Sequence, residues 1–138
     1  MGPLHIFSFA LIGLATCQAA SADAWTNKVR LLSSQVSSGD SAAFRRVLAL
    51  AETTPPGDNL EDLAEIASHF VTINPKQFLR GQSHYNNCFG VEFMGADYVD
   101  NDAKRDRELF RRRAALQSIK DPSLMPVRQV CLTQLGGG

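Results

Sequence analysis

Apolar side chains in this chain recur every three or four residues and nowhere in sustained alternation, so a sheet has no face to bury. Trp25, Val29, Leu32 and Val36 form one such stripe. Phe44, Val47, Leu48 and Ala51 form a second, with Asp40 placed to cap its N-terminus and Thr54-Pro55-Pro56-Gly57 to stop it. A third stripe runs through Leu60, Leu63, Ala64, Ala67, Phe70 and Val71, where Asn59 is the expected cap and Asp62 falls at the third helical position. Asn74-Pro75 ends that helix and opens a short fourth one carrying Phe78 and Leu79.

Beyond Gly81 the pattern is harder to place, because Gly90 and Gly95 interrupt an aromatic stretch. Tyr85, Phe89 and Phe93 fall at i, i+4 and i+8, which favours a broken helix. Asn101 opens a strong helix to about Ile119, and Asp121-Pro122 introduces the last, with Pro126 delaying its regular start to Met125. The expectation is an all-α fold of five to six antiparallel helices, in a compact bundle or short stack.

The N-terminal segment reads differently. The chain carries 14 basic and 14 acidic side chains, none of them before Asp23. Residues 4–15 are largely apolar and too few to span a bilayer, and Ala20-Ser21-Ala22 matches a signal-peptide cleavage site. A leader over residues 1–22, one helical domain over 23–135 and a flexible tail over 136–138 follow from this pattern. A competing route reads Leu14-Ala15-Thr16-Cys17 as a lipoprotein box, with a lipid anchor at Cys17. Either route makes the protein exported, periplasmic or secreted, with no transmembrane segment in the mature chain. Cys88 and Cys131 are then the remaining thiols in an oxidising compartment and are expected to pair.

Balanced charge argues against a nucleic-acid partner. No H-E-x-x-H, P-loop, G-x-S-x-G or clustered ligand set occurs, so neither a metal nor another cofactor is expected. Glu61, Glu65 and His69 line one flank of the third helix, and His84 precedes Cys88 by four residues. These support a hydrolase using Glu65, His69 or His84 only as a remote alternative, since a disulfide would consume the thiol. In the strong fifth helix, Arg113 falls between Leu109 and Phe110 on the apolar arc, so a partly buried Arg113 is expected, paired with Asp106 or with one of Asp97, Asp100 and Asp102. Arg105 and Arg112 share another edge of that helix. With Tyr85, Phe93 and Tyr98 from the aromatic stretch, they are the candidate contacts to a protein partner.

Ala114, Leu116, Ile119, Asp121 and Pro122, followed by Val127, Arg128, Cys131, Leu135 and Gly136, resemble the HEAT-type helical repeat, in which a helix ending in Asp-Pro precedes one of the form V-R-x-x-A-x-x-x-L-G. Phe44-Arg45-Arg46, then Ala49-Leu50, echoes Phe110-Arg111-Arg112, then Ala115-Leu116. The resemblance implies stacked helix pairs and a binding role. The function expected is thus an exported helical protein-binding module: an inhibitor, an immunity-type factor or an envelope adaptor. A carrier of a small apolar ligand, held between helices near Phe78 to Tyr98, is the first alternative.

Overall fold

In a computed structural model, residues 15–136 are described, with side chains from residue 20 onward. Residues 1–14 of the expected leader, the Cys17 side chain and the last two glycines of the expected tail lie outside the described residues. The rest is all-helical: α1 (Ala15–Ser37), α2 (Ser41–Thr53), α3 (Asp58–Ile73), α4 (Pro75–Gln82), α5 (Asp102–Gln117) and α6 (Met125–Gln134). Short 3-10 turns stand at Ala96–Tyr98 and Pro122–Leu124, and no strand occurs among the described residues. The main packings join each helix to the next and to the next but one along the chain, so α1 meets α2 and α3, α2 meets α3 and α4, and α4 meets α5 and α6.

Caps set most of these boundaries. The Asp40 carboxylate accepts hydrogen bonds from Ala42 N at 2.8 Å and Ala43 N at 3.0 Å, satisfying two donors that the first turn of α2 leaves free. Asn74 does the same for Gln77 N, with Pro75 at the start of α4, and Asn101 does so for Lys104 N in α5. The third helix departs from expectation: it starts at Asp58, not after Asn59, with Gly57 at the cap in a backbone conformation (φ 141°) that only glycine adopts easily. No side chain caps it, and acidic Asp58 and Glu61 in the first turn complement the helix dipole instead. The expected broken helix over Tyr85 to Phe93 is also absent. Residues 83–95 are turns and extended loop, because the aromatic spacing there arises from a segment wrapped onto the other helices, not from a helix face.

The core is built on Phe44 from α2, stacked on Phe70 of α3 with ring centroids 4.5 Å apart and tilted against Phe78 of α4 at 5.3 Å. All three are fully buried, each worth about 1.5–3 kcal/mol. Close approach of α4 depends on Gly81, where a Cβ would sit 2.7 Å from Phe44 Cε1. Trp25, Val29, Leu32 and Val36 of α1 point to this core, as expected, and Trp25 Nε1 donates to Asp62 Oδ2 of α3 at 2.9 Å.

Cys88 and Cys131 are joined by a disulfide that ties the loop after α4 to α6. Changing both to Ser is expected to cost about 4 kcal/mol on chain-entropy grounds, read as a lower midpoint in chemical denaturation with an unchanged helical spectrum before unfolding. A loss below 1 kcal/mol would show that the loop is held without it.

Asp40 gives a second check. The backbone hydrogen bond from Ala43 holds its carboxyl below the ordinary aspartate value of 3.8; desolvation opposes this, and the bond from Ala42 and the charges of Arg46 and Arg45 outweigh that opposition with it. A folded-state value below the unfolded one means that this stabilisation is present above pH 3.8 and is lost as pH falls through the folded value. Asn caps without a charge, so Asp40→Asn is expected to lose less stability than the wild type over that acid range, followed by thermal melts in a pH series.

Candidate functional site

Residues 88–93 are the segment around which the other features are arranged. Cys88 and Val91 are fully buried, yet the segment belongs to no helix, so its peptide groups have no ladder to satisfy them. Side chains of three helices do so instead. From α4, the buried Gln82 amide donates to Phe89 O at 2.8 Å and accepts from Phe89 N at 3.1 Å. From α6, Gln134 treats the preceding residue alike, accepting from Cys88 N at 2.8 Å and donating to Cys88 O at 3.1 Å. From α5, Arg112 Nη1 donates to Val91 O at 2.9 Å and to Phe93 O at 2.7 Å. Turn bonds run from Val91 N to Cys88 O and from Phe93 N to Gly90 O within the segment. Gly90 lies flat on α3: its φ is 79°, and a Cβ there would come within 2.7 Å of Ala67 Cβ and 2.9 Å of Ala64 O.

Arg112 is thus 1 % exposed, and its charge is met by Glu108 Oε1, 3.1 Å from Nε and one turn earlier on α5. Glu108 also takes Arg111 at 3.1 Å. This corrects two expectations. The buried ion pair is Arg112–Glu108 and not Arg113–Asp106, and Arg112 is no surface contact for a partner. The inward stripe of α5 is Glu108, Arg112 and Leu116, whereas Phe110, which set the expected phase, is 71 % exposed. Two opposite charges one turn apart can enter the core as a neutral unit where carbonyls wait for the remaining donors. Asp106 instead pairs at the surface with Arg105, which also holds Asp102. Arg113 is half-buried and donates to Leu135 O at 3.2 Å.

The other expected contacts are scattered. Tyr98 is half-buried, with the Lys104 ammonium 4.9 Å above its ring, and Phe93 is half-buried beside the Arg112 anchor. Glu65 and His69 line a small groove of about 200 Å³ between α1 and α3, with Asp62 and Ser33. His84 lies apart from it on an exposed turn. Among the described residues no three His, Cys, Asp or Glu side chains gather as metal ligands would.

Two larger concavities border α2. One, of about 510 Å³, lies between α1 and α2, lined by Lys28, Leu31, Leu32 and Gln35 of α1 and Arg46, Ala49 and Leu50 of α2. Leu31 is 59 % exposed in it. Arg46 Nη2 donates to Gln35 Oε1 at 2.8 Å across one end, and Lys28 stands about 10 Å away toward the other, seven residues back along α1. The second, of about 430 Å³, lies between α2, α3 and the loop at Tyr85 to Phe89. The second lies in the region near Phe78 to Tyr98 where the sequence suggested a ligand between helices, whereas the α1/α2 groove was not assigned from the sequence. The available signal was a leucine beside each core stripe: Leu31 next to Leu32, and Leu50 next to Leu48 and Ala51.

No family model, curated protein or solved structure matches the chain.

Replacing Arg112 by Met is expected to cost about 3–5 kcal/mol, because Glu108 keeps a buried charge and two carbonyls lose their donors. Adding Glu108→Leu to that variant should recover part of the loss. Denaturant midpoints of the two single variants and the double variant check this, and purely additive losses would contradict a coupled buried pair.

Proposed function

We propose that this protein is an exported, HEAT-like helical module that binds a protein partner by taking one of its helices into the groove between α1 and α2. The observation that carries the reading is the groove itself: an apolar floor with Leu31 largely exposed, a basic side chain near each end and no acidic residue in its lining. The lining residues Lys28, Leu31, Leu32 and Gln35 of α1, and Arg46, Ala49 and Leu50 of α2, follow i, i+3 and i+4 spacings on two adjacent helices, which suits the apolar stripe of a third helix laid between them. The separation of Lys28 from Arg46 suits acidic residues about two turns apart on that helix, flanking its apolar residues.

Stacked architecture is supported by packing that stays between near neighbours in the chain, the pattern expected of solenoids. It is also supported by Arg128, whose Nη1 donates to Ile119 O at 2.7 Å and so ties the repeat-like arginine to the preceding inter-helix turn. Export is supported by the Cys88–Cys131 disulfide. Residues 20–24 are exposed and Trp25 is the first described side chain of α1 to meet the core, so cleavage before Asp23 would leave the α1 stripe whole. No helix among the described residues is long and apolar enough to cross a membrane.

Two helix-constrained peptides test the reading, identical in their apolar stripe and carrying either Glu or Lys on both flanks. The Glu peptide is expected to bind and the Lys peptide not to, by fluorescence anisotropy. Leu31→Asp should abolish binding, and Lys28→Glu with Arg46→Glu should weaken it about tenfold or more. Equal binding of both peptides, or binding indifferent to Leu31→Asp, would refute it. Leu31 is exposed enough that its replacement leaves the fold intact, which a circular dichroism melt confirms.

A further inference from the structure

The second concavity has a different chemistry. Its floor is apolar, formed by Leu48 of α2, Leu60 of α3 and Phe89 of the clamped loop. Its rim carries the Glu52 carboxylate, the Tyr85 ring and the amide of Asn86. None of these three polar side chains has a hydrogen-bond or ion-pair partner among the described residues, so the rim presents one uncompensated negative charge, an aromatic face and a free amide. No basic side chain lines the pocket. A volume of about 430 Å³ falls within the range of small-molecule sites.

We infer that this pocket binds a small organic ammonium carried on an apolar chain, with the chain on Leu48, Leu60 and Phe89 and the cation between the Glu52 carboxylate and the Tyr85 ring. A carboxylate supplies the counter-charge and an aromatic face stabilises a cation lying against it, whereas a carboxylate ligand would meet Glu52 with like charge. A neutral ligand would gain no charge attraction from Glu52. Burial, and then the nearby Glu52 charge, push the Tyr85 phenol above 10.0, so at neutral pH the ring keeps its proton and adds no charge of its own. The pocket keeps its shape because one wall, Phe89, has both its backbone groups held by Gln82. The site is separate from the α1/α2 groove and stands on its own geometry.

Hexylammonium, hexanol and hexanoate present one chain with three head groups, and chemical-shift titration of the full mature chain reads their binding. Hexylammonium is expected to perturb the amides of Leu48, Glu52 and Phe89, to bind about tenfold more tightly than hexanol, and hexanoate to bind more weakly still. Glu52→Gln should abolish the preference over hexanol. Glu52 is exposed, so this variant keeps the fold. Equal affinity for hexylammonium and hexanol, shifts located elsewhere, no binding, or a preference that survives Glu52→Gln would each overturn the inference. None of these ligands should displace a helical peptide from the α1/α2 groove.

Discussion

The fold depends on keeping a stretch of irregular backbone dry. Residues 88–93 pack onto α3, α4, α5 and α6 with Cys88 and Val91 fully buried, and an unpaired peptide group buried there costs about 1–3 kcal/mol. Two glutamines and one arginine take the place of a secondary-structure ladder, each gripping two backbone atoms and each coming from a different helix. The disulfide adds a covalent tie at the start of the same stretch. Because Gln82, Arg112 and Gln134 must all reach the segment together, its position and the docking of α4, α5 and α6 are one constraint.

That arrangement divides the molecule. The C-terminal half is held by polar clamps, and its most buried charge is neutralised within α5 by Glu108. The N-terminal half is held by stacked aromatics from α2, α3 and α4 and by the stripe of α1. Both proposed binding surfaces border α2. The groove uses its side facing α1, and the pocket uses its side facing the clamped loop. One rigid helix could therefore present two chemically opposite sites, cationic at the groove ends and anionic at the pocket rim.

Much of the helical framework was legible in the sequence, since caps and stripes are local. Asp40, Asn74-Pro75, Asn101 and the Met125 start of the last helix all stand where short-range chemistry places them. Pairing of Cys88 with Cys131 followed from their being the two cysteines outside the N-terminal segment expected to be a leader. What failed was the reading of α5 and of the loop before it, and for one reason. Hydrophobicity marks a buried face only where burial is apolar, and here the buried face of α5 is an ion pair reaching for carbonyls of residues about twenty positions away. Phe110, the obvious core candidate, faces outward. Gln82 and Gln134 carried no local signal either, because a glutamine that clamps a distant backbone reads in sequence as one on a wet surface. The α1/α2 groove was missed because it arises between helices, from Leu31 and Leu50, which no single stripe requires.

Amide hydrogen exchange at Cys88 and Phe89 tests the central claim most directly. If Gln134 and Gln82 hold these N–H groups in a dry interior, both should exchange about as slowly as Phe70 and Val71 in α3, although neither lies in a helix. Exchange of both at the rate of the exposed turn at His84 would contradict the account, since it would mean that the segment is wet and its clamps are open.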